Sequence, residues 1–253
     1  MIDVITCRGT GEHRNAPSNM LFNVTRSLDP GRFNVLGDLD YPASVGPANE
    51  TGNPFGCSED ESIRIGVENL AGMIRATPNT VGLLGYSLGA EVVTAFREAQ
   101  VRGELGDCEI AWSACVANPR RAAGDSIDPY SSGFGINGQR AAFATGAVHL
   151  EVANPADAIT SCPQDSPLRT MADQTSAFTF AALGGWTRDL GEKMLQRRFQ
   201  PSARSWWRNP IHAFDVYGAA GRGILGYLSG KDHIHTYISG GYLERLADRI
   251  NDM

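Results

Sequence analysis

No run of about 18 consecutive apolar residues occurs in the chain, so no transmembrane helix is expected. A secretory leader is expected to be absent too. Met1-Ile2-Asp3 has no basic start and passes straight into the strand-like run Val4-Ile5-Thr6-Cys7. Internal repeats and low-complexity tracts are lacking, which excludes solenoids and disordered linkers. An excess of positive charge is lacking as well. The net charge is −6, which gives no general attraction to nucleic acid or anionic lipid. Cysteine is sparse, at 5, and never has zinc-type spacing. Cys7 and Cys115 lie in apolar runs and read as small buried hydrophobes. Whether two of Cys57, Cys108 and Cys162 form a disulfide is not decided by the sequence.

What is present is enough apolar material, 42% of residues, for a sizeable core. Strand-like and helix-like segments alternate, which predicts an α/β fold with a mainly parallel sheet flanked by helices. Strands are expected at 2–7, 32–39, 81–85, 110–116 and 148–153. Helices are expected at 59–76, 90–101 and 241–250. In the first of these, Ile63, Val67, Leu70 and Ile74 recur at helical spacing behind an acidic first turn. A Gly/Pro/Asn-rich loop covers 42–56.

The stretch 163–231 breaks the alternation. It holds three of the 4 tryptophans, Trp186, Trp206 and Trp207, and carries net charge +4 against −10 for the remainder. The chain therefore reads as one domain over 1–253 with a helical cap inserted at 163–231. Trp206 and Trp207 are candidate substrate contacts there; ordinary helix packing is the competing reading.

The most specific motif is Gly85-Tyr86-Ser87-Leu88-Gly89, between an apolar strand and an apolar helix. This is the setting of a nucleophile elbow, whose tight turn leaves no room for side chains two residues either side of the serine. Ser87 is the expected nucleophile, and it needs a base to take its proton. In this fold the order along the chain is serine, acid, histidine. His212, His233 and His235 lie in the right segment, and His235 is the choice for the base. His13 and His149 lie outside it. Asp157, in the loop Asn154-Pro155-Ala156-Asp157, is the expected acid, with Asp165 and Asp173 as fallbacks. The backbone N–H groups of Thr10, in the loop after the first strand, and of Leu88 are the expected oxyanion donors. His233 and His235 could also be read as a metal pair, but no third ligand stands nearby. No metal and no cofactor are expected.

Together these residues resemble the cutinase superfamily. Arg8-Gly9-Thr10-Gly11-Glu12 looks like its oxyanion loop, and Tyr41-Pro42-Ala43 and the Ser87 motif match segments that follow. Within the superfamily the chain is most similar to the lysin B esterases of mycobacteriophages. Asn118-Pro119-Arg120 with Gly124 resembles their Gly-Asn-Pro-x-Arg segment, and His235-Thr236-Tyr237 their His-x-Tyr. The 77 residues between Asp157 and His235 resemble their helical insertion. Leu88 stands where glutamine is usual, Ala117 where glycine is, and Thr77, Ala153 and Thr160 where cutinases carry disulfide cysteines.

The resemblance implies an α/β-hydrolase fold and a serine esterase that cleaves the ester between mycolic acids and arabinogalactan. It implies a protein made in a host cytoplasm and released to the cell envelope at lysis. Two rival expectations are a broad cutinase-like lipid or polyester esterase, and an inactive hydrolase fold serving as a wall-binding or virion protein.

Overall fold

The computed structural model describes residues 1–143, 146–166, 168–169, 223, 226 and 229–253. The expected cap lies almost wholly outside these residues, as do Trp186, Trp206, Trp207, His212 and Asp173.

Five strands form one sheet: β1 (Ile2–Cys7), β2 (Phe33–Asp38), β3 (Thr80–Tyr86), β4 (Ile110–Val116) and β5 (Val148–Val152). Their order across the sheet is β2-β1-β3-β4-β5, and every pairing is parallel. Parallel strands need covered crossovers, so both faces of the sheet are packed. Helices α2 (Glu59–Ala76) and α3 (Leu88–Val101) cover one face, in a core with Ile5, Leu83 and Cys115. The short α1 (Phe22–Thr25) and α4 (Thr236–Ser239) and the C-terminal α5 (Tyr242–Asn251) cover the other, with Val4, Leu84 and Ala114. Adjacent residues of one strand thus enter opposite cores, as the two-residue side-chain period requires.

Each expected strand and helix is found, with ends shifted by two residues at most. Helix α2 starts where Ser58 accepts the Glu61 N–H at its N-cap. Helix α5 puts Leu243, Leu246, Ala247 and Ile250 on one buried face. All five cysteines are unpaired, and Cys7 and Cys115 are fully buried.

The strand order reverses direction between β1 and β3. In an open α/β sheet, ligands bind beyond the carboxyl ends of the strands at such a reversal. The loop after β1 and the turn after β3 both lie there.

Candidate active site

The turn after β3 is strained in a defined way. Ser87 has φ 53 and ψ −118, a region that non-glycine residues rarely occupy. Its N–H is held by the Val116 carbonyl at 3.0 Å, and α3 begins at the next residue. The flanking glycines are required by space. A Cβ on Gly85 would stand 2.6 Å from the Gly89 carbonyl oxygen, and one on Gly89 would stand 1.9 Å from the Cys7 carbonyl oxygen. The loop after β1 therefore lies directly against the nucleophile turn.

Ser87 Oγ is 3.0 Å from His233 Nε2, and His233 Nδ1 is 2.9 Å from Asp157 Oδ2. All three side chains are buried. The histidine within hydrogen-bond reach of Ser87 is thus His233, which corrects the expectation of His235. Residues 231–235 form a single π-helical turn after Gly230, which adopts the left-handed conformation. Two residues apart on a helical turn, side chains point to nearly opposite sides. His233 is turned inward and His235 is exposed. The same divergence rules out the two histidines as a shared metal pair.

Several contacts fix His233. Tyr86 donates its hydroxyl to the His233 carbonyl at 3.0 Å, and the two rings lie 5.4 Å apart. Asn154 Nδ2 donates to the Asp232 carbonyl at 2.8 Å, tying the acid loop to the histidine turn. Asp157 accepts from the Ile159 N–H and the Tyr237 hydroxyl, each at 3.0 Å. Tyr237 also accepts the Asn154 N–H at 3.0 Å. Burial and the neighbouring Asp157 push the Tyr237 hydroxyl well above the ordinary tyrosine range, so it remains a donor. Tyr237 is one helical turn beyond His233. The histidine that shares Asp157 with Tyr237 therefore precedes it by four residues, not by the two of His235-Thr236-Tyr237.

Leu88 opens α3, where the N–H groups of a first turn have no partner inside the helix. Thr10 sits in the loop packed on that turn, and its Oγ1 is buried without a hydrogen-bond partner. Gly9 faces the Tyr86 ring, and a Cβ there would come within 2.6 Å of it. Arg8 holds the loop from behind through the Leu39, Tyr41 and Glu12 carbonyls at 3.0, 2.9 and 2.8 Å. The loop that carries Thr10 thus lies against the Ser87 turn through Cys7 and Arg8, and Leu88 follows Ser87 directly. Ala117, at the end of β4, has a left-handed φ of 54.

Asp165, a fallback acid, is not needed for the pairing with His233. His149 lies elsewhere, between Ser113 Oγ at 2.8 Å and Glu151 Oε1 at 2.9 Å. Among the described residues, Cys115, His149 and Glu151 form the one group whose ligand atoms could converge on a metal ion. Glu151 there is already engaged by Arg140 at 3.2 Å and Asn118 at 2.9 Å.

A parallel sheet with helices on both faces, a strained serine turn, and serine, acid and histidine in that chain order define the α/β-hydrolase fold. No family model and no curated protein sequence matches the chain. Solved structures do match. An acetylxylan esterase is 18% identical and covers 72% of this chain and 98% of its own, with a TM-score of 0.45. Lysin B from Mycobacteriophage D29 is 19% identical over 65% of this chain and 68% of its own, with a TM-score of 0.48. A cutinase-like protein from Cryptococcus sp. is 18% identical over 63% of this chain and 78% of its own, with a TM-score of 0.38.

Proposed function

We propose that the protein is a serine carboxylic-ester hydrolase working through Ser87, His233 and Asp157. The observation that carries this reading is the 3.0 Å approach of His233 Nε2 to Ser87 Oγ on a strained turn. Because Nδ1 gives its hydrogen to Asp157, Nε2 is left as the acceptor. Ser87 Oγ attacks the ester carbonyl carbon while its proton passes to Nε2. The carbonyl oxygen becomes an oxyanion and takes hydrogen bonds from the Leu88 and Thr10 N–H groups. Asp157 stabilises the imidazolium without taking its proton. Collapse expels the alcohol, which leaves with the proton held on His233. Water then repeats the sequence to release the acid.

For the substrate, we propose an ester between a long acyl chain and a glycan, of the mycolyl–arabinogalactan type, met at a cell envelope. The support is the resemblance of Asn118-Pro119-Arg120 with Gly124, and of the long interval after Asp157, to lysin B esterases. Trp206 and Trp207 of the inserted cap are the proposed acyl contacts. Two assays separate the readings. Hydrolysis of p-nitrophenyl butyrate, with stoichiometric capture of Ser87 by a phosphonate ester, is expected for any serine esterase. Faster turnover of mycolyl-arabinogalactan than of a simple triglyceride is expected for the narrower reading. The reverse order would favour a broad cutinase-like esterase, and no reaction with either reagent would favour an inactive wall-binding protein.

A further inference from the structure

Beyond the loop that carries Thr10 lies a second concavity, of about 670 Å³, between the ends of β1 and β2 and the 42–57 loop. Its position relative to Ser87 follows from strand register. Thr6 pairs with Asp38 across β1 and β2, and Cys7 pairs with Gly85 across β1 and β3. Asp40, Arg8 and Ser87 therefore stand on one rim of the sheet. Neighbouring strands are about 4.8 Å apart, so the cleft begins about 10 Å from Ser87, with the oxyanion loop as the shared wall. Gly11 of that loop donates its N–H to the Ala43 carbonyl at 3.0 Å, joining the wall to the cleft floor.

The lining is mixed. Arg14, Asp40, Asn53 and Asn69 stand among Tyr41, Pro42 and Ile65, with the Phe55 ring alongside. Asn69 donates its amide to the Asp40 carbonyl at 2.7 Å, which leaves its oxygen as an acceptor. Asn53 accepts the Phe55 N–H at 2.9 Å, which leaves its amide as a donor. The charges are matched within the cleft: Arg14 pairs with Asp40 at 3.3 Å, and Arg8 with Glu50 at 3.3 Å. A matched set of charges gives no net pull on an ionic ligand. Its apolar residues are interspersed with amide and charged groups, which suits an amphipathic ligand better than an acyl chain. Phe55 is 91% exposed, a flat apolar face beside amide donors and acceptors. That combination suits a neutral polyhydroxylated ring, which offers hydroxyls at its edge and C–H groups on its face.

We propose that this cleft is the subsite for the sugar side of the ester, binding a neutral oligosaccharide one to two rings away from the scissile bond. The inference rests on the esterase reading for its purpose, but its binding does not depend on catalysis. In such a site, binding energy from remote sugar rings raises turnover of glycan esters selectively.

The test uses the full chain and two neutral probes, an arabinofuranosyl oligosaccharide and a xylooligosaccharide. Saturation-transfer NMR and calorimetry should detect binding of at least one, and the stronger probe identifies the sugar class. Phe55→Ala and Asn69→Ala should each weaken that binding at least tenfold. Phe55 is exposed, so its variant tests the contact without threatening the fold. No binding of either probe by a protein that hydrolyses p-nitrophenyl butyrate would overturn the subsite and leave the esterase reading intact. Undiminished binding by both variants would also overturn it, because the sugar would then sit elsewhere. Sugar binding that is lost in the variants, by a protein without ester hydrolysis, would uphold the subsite and overturn the esterase reading.

Discussion

Among the described residues stand two serine–histidine–carboxylate arrangements, with similar distances and different settings. At the rim of the sheet, Ser87, His233 and Asp157 are joined at 3.0 and 2.9 Å. Inside the sheet, Ser113, His149 and Glu151 are joined at 2.8 and 2.9 Å. Ser113 lies within β4, wholly buried, with no strained turn to present it. It meets Nδ1 of its histidine, and the carboxylate is claimed by Arg140 and Asn118. No helix begins beside Ser113 to offer free N–H groups. Short contacts between the right side chains therefore do not make a reactive serine. Presentation at a strand end and N–H donors at the developing oxyanion are needed as well.

This contrast can be broken by substitution, beginning with the largest effect. Ser87→Ala should lower kcat for p-nitrophenyl butyrate by a factor on the order of 10⁶, whereas Ser113→Ala should stay within tenfold of the parent. Equal losses from the two would remove the distinction. Asp157→Asn should cost about 10⁴ in kcat, because the amide holds the wrong tautomer of His233. Retention of more than a tenth of the activity would detach Asp157 from the chemistry.

His149→Ala should act on stability in place of rate. It leaves the buried Ser113 hydroxyl without its histidine partner and removes one of the three contacts of Glu151, at about 1–3 kcal/mol. A denaturant titration should show that loss with the rate per folded molecule preserved. A collapse in rate at unchanged stability would place His149 in the reaction.

The smallest effect concerns two glutamates behind the nucleophile helix. Glu91, one turn after Ser87, and Glu59, at the start of α2, both accept from Asn137 Nδ2, at 2.8 and 3.1 Å. Burial, reinforced by Glu59, pushes the Glu91 carboxyl well above the usual carboxylate range, and Arg120 opposes this only in part. A folded-state pKa raised above the unfolded one gives stability that is present at low pH. That stability is lost as pH rises through the folded value. Glu91→Gln keeps the shape and cannot ionise. Its Tm should therefore gain on the parent as pH rises from about 5 to about 9, by roughly 2–4 °C for each kcal/mol. A constant difference across that range would show that Glu91 is not the titrating group.

How legible these regions were follows from what each depends on. Strands β3 and β4 are buried on both faces, so Val81, Leu83, Leu84 and Trp112 to Val116 read as apolar runs. Ser87 was readable because the backbone itself demands Gly85 and Gly89. The two histidines were not separable that way. Either one fits the chain order, and which turns inward depends on Tyr86, Asn154 and Tyr237, partners brought from far along the chain. The buried glutamate pair was hidden for the same reason. Glu59 reads as an ordinary acidic residue of a helix's first turn until Glu91 is packed against it.

The most direct test of the central claim compares His233→Ala with His235→Ala, each folded to the same extent, in hydrolysis of p-nitrophenyl butyrate. The account predicts a loss on the order of 10⁶ in kcat for His233→Ala, since Ser87 then has no proton acceptor. It predicts a change within threefold for His235→Ala, roughly 0.6 kcal/mol or less in the barrier. A severe loss in His235→Ala with His233→Ala nearly unaffected would contradict it.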